Sequence, residues 1–182
     1  MHINTETGLI ENVEYIASPN ADARPDEADV DLIVIHSISL PPGEYGGSWI
    51  EKLFTNQLPA DVHPYFSEIH QMKVSAHVLI RRDGRLQQFV PFHLRAWHAG
   101  KSCYQDRETC NDYSIGIELE GTDDSAFEDI QYQQLAELID ALDSSYPKLN
   151  KTRLAGHSDI APGRKTDPGT GFDWDRLRGL LA

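Results

Sequence analysis

The chain has 182 residues, 40% of them hydrophobic and 25% charged, and a formal net charge of −13 at pH 7. That length suits one globular domain burying roughly 70% of its unfolded surface, and the acidic balance argues against non-specific binding to nucleic acid or an anionic membrane surface. No run of about 18 apolar residues occurs, and the start "MHINTETGLIENVEYIASPN" lacks the basic n-region and apolar core of a secretory signal, so a cytoplasmic protein is expected.

In chain order, "DLIVIHS" (31–37) is a continuous β-branched and leucine run, the pattern of a strand buried on both faces. The Pro41-Pro42 and Gly46-Gly47 pairs that follow forbid regular structure. "SWIEKLFTNQ" (48–57) then reads as a short helix with Ser48 as its N-cap. Residues 58–72 carry their own prolines and are expected to be irregular, which makes 38–72 an extended loop region. "SAHVLIRRDGRLQQFVP" (75–91) predicts a hairpin turning at Asp83-Gly84. "NDYSIGIELEG" (111–121) alternates: Tyr113, Ile115, Ile117 and Leu119 on one face, Ser114, Gly116, Glu118 and Glu120 on the other. "IQYQQLAELIDALDSSYP" (130–147) spaces Leu135, Leu138, Ile139 and Leu142 as an amphipathic helix does. "TRLAGH" (152–157) predicts a strand and "WDRLRGLL" (174–181) a closing helix. Strands and helices alternating without a repeat or linker predict a single α/β domain spanning 1–182, with a central mixed β-sheet covered by helices. Cys103 and Cys110 are too few for a disulfide framework and read as free thiols.

Of the eight histidines, His77 lies inside a strand pattern and reads as a satisfied core histidine. His36 and His157 differ, because each ends a strand, and ligands in open α/β sheets gather where strands stop. A carboxylate follows His157 at either Asp159 or Asp167. Two histidines and a carboxylate are a common ligand set for catalytic zinc, which brings its bound water to a pKa of about 7. Lys165 precedes Asp167 by two positions, so in an extended segment both side chains leave on one side, placing a cation where an oxyanion would form. Glu118 and Glu120 are both candidates for the general base, and Gly116 between them and Ser114 is expected to leave room for a substrate or metal. In "RAWHAG" (95–100) the flat face of Trp97 suits a sugar, with His98, Ala99 and Gly100 permitting close approach.

The ordered segments "VIHSISLPPGEYGG", "VSAHVLIRRDG", "RAWHAG", "CNDYSIGIELEGTD" and "GHSDIAPGRKTDPG" resemble the zinc-dependent N-acetylmuramoyl-L-alanine amidases. The similarity runs over nearly the whole chain and is strongest to the cytoplasmic branch acting on 1,6-anhydro-muropeptides; peptidoglycan recognition proteins share the fold. The resemblance implies one zinc ion held by His36, His157 and Asp167, with Glu118 as the acid–base group and Lys165 beside the zinc. Asp167 is thereby preferred to Asp159 and Glu118 to Glu120. It further implies that Trp97 contacts the anhydromuramyl sugar, with Ser37 and Ala99 as further substrate contacts and Lys73 and Arg107 as cations for the peptide carboxylates. Ser37 stands where such relatives usually carry asparagine, so a polar contact to the sugar is expected to be lost or lengthened. The implied activity is hydrolysis of the amide joining anhydro-N-acetylmuramic acid to L-alanine, by a monomer acting on soluble muropeptides. That reaction feeds cell-wall recycling and lowers the muropeptide signal that induces β-lactamase. Two alternatives share the fold: a non-catalytic muropeptide-binding module, and a phage-type or periplasmic amidase acting on intact wall.

Overall fold

The computed structural model describes residues 1–26 and 29–182. Short strands β1 (Ile3–Asn4), β2 (Leu9–Ile10), β3 (Glu14–Tyr15) and β4 (Ala21–Ala23) lead into the long strand β5 (Leu32–Ile38). Helices α1 (Trp49–Phe54) and α2 (Pro64–Ile69) precede the hairpin β6 (Val78–Ile80) and β7 (Leu86–Gln88). Then come β8 (Leu94–Ala96), β9 (Cys103–Tyr104), β10 (Arg107–Glu108), and β11 (Ser114–Glu120). Helix α3 (Asp129–Ser145), strand β12 (Leu154–Gly156), the single-turn helix α4 (His157–Ile160) and α5 (Trp174–Leu181) complete the chain.

Among the described residues the main sheet has six strands in the order β12-β5-β11-β6-β7-β3. It is mixed: β12, β5, β11 and β6 run parallel, while β6 and β7 form the antiparallel hairpin. Asp83-Gly84 turns that hairpin, Gly84 taking a φ of +83° that favours glycine. The predicted strands and the helices α1, α3 and α5 are present, with β5 running one residue past its expected segment to Ile38, α3 starting one residue before its own at Asp129, and His157, expected to end a strand, instead starting α4 directly after β12. Helix α3 is opened by the Gln131 side chain, whose Oε1 accepts the Glu128 N–H at 3.0 Å, and α5 by the Asp173 carboxylate, which accepts from the Arg176 N–H.

One face of the sheet (Ile33, Ile35, Ile115, Ile117, Leu119) packs against Leu135, Leu138, Ile139 and Leu142 of α3 and Leu177 of α5. The other face is covered near β6 by Leu53, Phe54 and Phe66 of α1 and α2. Two expectations are corrected here. Residues 64–69, read as irregular, form α2: Pro64 sits in the first turn, where its missing N–H costs nothing, and the His63 Nδ1 accepts from the Tyr65 N–H as an unconventional cap. Tyr113 leaves the face of Ile115 and joins Leu32, Val34 and Ala155 on the opposite side, because it ends the 3₁₀ turn Cys110–Asp112 before the strand begins.

The same sheet order explains why β11 is buried along its whole length. It lies between β5 and β6, so its polar face is neither an edge nor a solvated surface. In-register parallel neighbours point to the same side, and the register pairs Ser114 with Leu32, Gly116 with Val34 and Glu118 with His36. Glu118 and His36 therefore leave the sheet together at the ends of adjacent strands.

Candidate metal centre and its cleft

Strand β12 pairs Gly156 with Ile35, so the next residue, His157, emerges level with His36. The loop carrying Asp167 is drawn to the same place by a Ser158 N–H···O=C bond to Asp167, 2.9 Å. Gly156 permits that approach: a Cβ there would lie 2.9 Å from Pro168 Cδ. The result is a nearly equilateral triangle of ligand atoms. His36 Nδ1 and His157 Nδ1 are 3.0 Å apart, and Asp167 Oδ2 is 3.0 Å from the first and 3.1 Å from the second.

The donor set fits a divalent cation. Zinc bonds of about 2.0–2.1 Å in a tetrahedron put ligand atoms about 3.3 Å apart, close to the edges of this triangle. Burial, with the charges of His157 and Lys165, pulls the His36 pKa down to about 4 against the opposing pull of Asp167. Burial raises that of Asp167, but its close polar contacts with the His157 and His36 rings outweigh it and hold the carboxyl well below the usual range. Each histidine also spends its other nitrogen elsewhere: His157 Nε2 donates to the Ala99 carbonyl at 3.2 Å, and His36 Nε2 lies 2.9 Å from His98 Nδ1. A carbonyl can only accept, so His157 must carry its hydrogen on Nε2 and present a lone pair from Nδ1. Among the described residues, this is the one His/Cys/Asp/Glu group able to hold a metal ion.

The triangle sits at the floor of a cleft of about 650 Å³. Leu40, Leu53, Phe54, Tyr65 and Ile69 make one apolar wall; Glu118, Lys165 and the 121–124 loop face it from the metal side. Glu118 is 9% exposed, and its Oε2 has no hydrogen-bond partner. Burial drives its pKa well above the ordinary carboxylate value, the nearby Asp167 charge adds to the rise, and Lys165 opposes it. Glu120 is wholly engaged instead: its Oε1 accepts from Gly46 N–H (2.7 Å) and Arg81 Nη1 (3.0 Å), and its Oε2 from Arg82 N–H (3.2 Å). Asp159 is likewise occupied, accepting the Gly156 N–H at 2.7 Å. Among the described residues, Lys165 makes no ion pair.

The remaining candidates divide. Ser37 lines the cleft, with its hydroxyl donating to Asp123 Oδ1 at 2.9 Å. Lys73 is exposed beside Met72 and Val74 of the cleft wall but does not itself line it. Trp97 also lies off the lining, its indole N–H donating to Asp22 at 3.2 Å. Ala99 is fully buried, and its carbonyl holds His157 and Arg164 rather than facing the cleft. Arg107 is also off the lining: it pairs with Asp29 and Asp31 and its guanidinium lies 3.7 Å from the Tyr113 ring centroid. Gly116 leaves room for neither substrate nor metal, because the His98 ring fills that space, 2.3 Å from where a Cβ would be. His77 is the satisfied core histidine expected, accepting the Gly116 N–H on Nδ1 and lying 3.1 Å from the Leu94 carbonyl through Nε2. Sequence reasoning missed His98 as the support of His36; the visible signal was a glycine alternating with Ser114 and Glu118, which marks space for a ring.

The sequence profile of the N-acetylmuramoyl-L-alanine amidase family matches residues 26–170. The chain is 56% identical over 177 residues to the 1,6-anhydro-N-acetylmuramyl-L-alanine amidase AmpD of Escherichia coli (strain K12), covering 97% of this chain and 96% of that protein. The crystal structure of a selenomethionine derivative of AmpD superposes with a TM-score of 0.95 at 53% identity, covering 100% of both chains. A complex of the amidase AmiD from E. coli with anhydro-N-acetylmuramic acid-L-Ala-D-gamma-Glu-L-Lys superposes at TM-score 0.60 and 30% identity, over 87% of this chain and 60% of that one.

Proposed function

The chain belongs to the N-acetylmuramoyl-L-alanine amidase family, and from that premise we propose that residues 1–182 are one catalytic domain cleaving the amide between 1,6-anhydro-N-acetylmuramic acid and L-alanine. The observation that carries the reading is the meeting of two Nδ1 atoms and a carboxylate oxygen beneath a buried, unpartnered Glu118. His36, His157 and Asp167 would hold zinc, which when bound acidifies a water and polarises the scissile carbonyl. Glu118 accepts the proton of the attacking water on its free Oε2 and delivers it to the alanine nitrogen as the amide breaks. A raised pKa suits that double duty, since the group must hold the proton between the two steps. Lys165 offers its unpaired ammonium to the negative charge growing on the carbonyl oxygen. The apolar wall of Leu40, Phe54 and Ile69 excludes water from the bond under attack, and Ser37, on the cleft lining, is placed for the sugar, whereas Trp97 stands outside that lining.

A binding module has no use for a carboxylate held without a partner at this position, and the high identity to an anhydro-substrate amidase favours soluble fragments over intact wall. The protein acts as a monomer in the cytoplasm, in recycling of wall peptide, and lowers the muropeptide inducer of β-lactamase. Among the described residues no helix is long and apolar enough to cross a membrane. The test compares hydrolysis of an anhydromuropeptide with that of intact sacculi, measuring bound metal in the same samples. Hydrolysis of the soluble substrate that stops on chelation and returns with zinc is expected. Full activity without metal, or a preference for sacculi, would overturn the proposal.

A further inference from the structure

We propose that His98 and Ser114 form a one-way hydrogen-bond relay, anchored on the Cys110 carbonyl, that fixes the tautomer of His36 so that its Nδ1 faces the metal site as a lone pair. The relay rests on the reading of His36 as a metal ligand. Its direction follows from the end farthest from the metal. Ser114 Oγ lies 2.6 Å from the Cys110 carbonyl oxygen, which can only accept, so the single hydroxyl hydrogen is committed there. Reversing it would leave two oxygens in contact with no hydrogen between them. Ser114 Oγ must then accept from His98 Nε2, 3.2 Å away. A neutral ring with its hydrogen on Nε2 has a lone pair on Nδ1, and that atom lies 2.9 Å from His36 Nε2. His36 therefore carries its hydrogen on Nε2, leaving Nδ1 free at the triangle.

The rest of the fold holds this chain of atoms in place. Ser114, Cys110 and His36 are each at most 1% exposed and His98 is 8% exposed, so water does not compete for the bonds. The buried Arg24 donates to the carbonyls of Asn111, Asp112 and Ser114, clamping the turn that carries Cys110 and Ser114. Asn111 Oδ1 accepts the backbone N–H groups of His98 and Ala99, at 3.2 and 2.8 Å, and so fixes the segment that supports both metal-site histidines. With the relay reversed, His98 would donate to His36 Nε2 and a hydrogen would occupy His36 Nδ1, where the cation belongs. His98 and Ser114 are thus positioning residues, acting on the metal through His36 without touching it.

The experiment uses the full chain labelled with ¹⁵N-histidine, in metal-free and zinc-loaded forms. Long-range ¹H–¹⁵N correlation is expected to show hydrogen on Nε2 and none on Nδ1 of His98 in both forms, and the same for His36 in the loaded form. A His98 ring protonated on Nδ1 overturns the relay. Chelator competition on variants gives a second reading. His98→Asn keeps an acceptor near the Nδ1 position and is expected to bind zinc within a few-fold of the wild type. His98→Leu fills the space better but accepts nothing, and is expected to lose about 10–100-fold in affinity. Packing alone predicts the opposite order, so equal affinity of the Leu variant and the wild type overturns the proposal even where stability changes. Failure of the wild-type chain to bind zinc would instead sink the metal assignment, while the metal-free spectrum still reports the direction of the relay.

Discussion

Replacing Gly116 by alanine tests the layered construction of this site with one methyl group. Gly116 has no positive φ, so its backbone accepts any residue and only the added carbon matters. That carbon would lie 2.3 Å from Cγ, 2.5 Å from Nδ1 and 2.7 Å from Cδ2 of His98. Carbon atoms pack at about 3.5–4.0 Å, so the ring must retreat by roughly 1 Å or more, and its bonds to His36 (2.9 Å) and Ser114 (3.2 Å) cannot both survive. Overpacking costs about 1–3 kcal/mol and a stranded buried polar group about 1–3 more, giving a loss of roughly 2–6 kcal/mol. Urea unfolding of the metal-free protein measures that loss, and chelator competition should show zinc affinity falling with it. The decisive comparison is the same substitution in a His98→Ala background, where the space is vacant and the cost should drop below about 0.5 kcal/mol. An equal cost in both backgrounds, or a negligible one in the wild type, would refute the argument that Gly116 exists to seat His98.

Glu118→Gln should retain zinc yet lose about 10²–10⁴ in turnover, the range for a positioned acid–base group; unchanged turnover would remove Glu118 from the mechanism. The same variant has a stability signature in the metal-free protein. Because burial raises the folded-state pKa above its unfolded value, the wild type loses stability as pH rises through the folded pKa, whereas glutamine does not titrate. Glu118→Gln should therefore be the more stable near pH 7, with the difference vanishing below about pH 4; a variant less stable than wild type at neutral pH contradicts the buried, unpartnered carboxylate. Lys165→Met should lower kcat by about 10²–10³ with little change in KM, as loss of an oxyanion partner does, and an effect confined to KM would reassign the lysine to substrate binding.

Which parts of this molecule could be read from sequence follows from the range of the forces involved. β5 and α3 were legible because hydrophobic runs and helical spacing are local signals that burial rewards directly. The convergence of His36, His157 and Asp167 was legible in outline, since two strand ends and a glycine- and proline-rich loop suggested it. Composition could not separate Asp167 from Asp159. In the fold the separation is plain: the Gly156 N–H occupies Asp159, while the Ser158 N–H draws the Asp167 backbone toward the histidines. α2 was missed because its cap is a histidine and its first residue a proline that also marks loops. Arg107 looked available because formal charge does not reveal partners, and its partners Asp29 and Asp31 are distant in sequence.

The polar face of β11 shows why such a site concentrates on one central strand. Its odd positions, Ile115, Ile117 and Leu119, need only a greasy neighbour, and α3 supplies it. Its even positions are equally buried but polar, so each must either find a partner or remain costly. Ser114 finds the Cys110 carbonyl and His98, Gly116 gives up its side chain to admit that ring, and Glu120 is tied to Arg81 and the Gly46 and Arg82 N–H groups. Glu118 alone on this face keeps a buried oxygen without a partner. Its neighbours are arranged so that this one unmet demand opens into the cleft beside His36, which is what the proposed acid–base role requires of it.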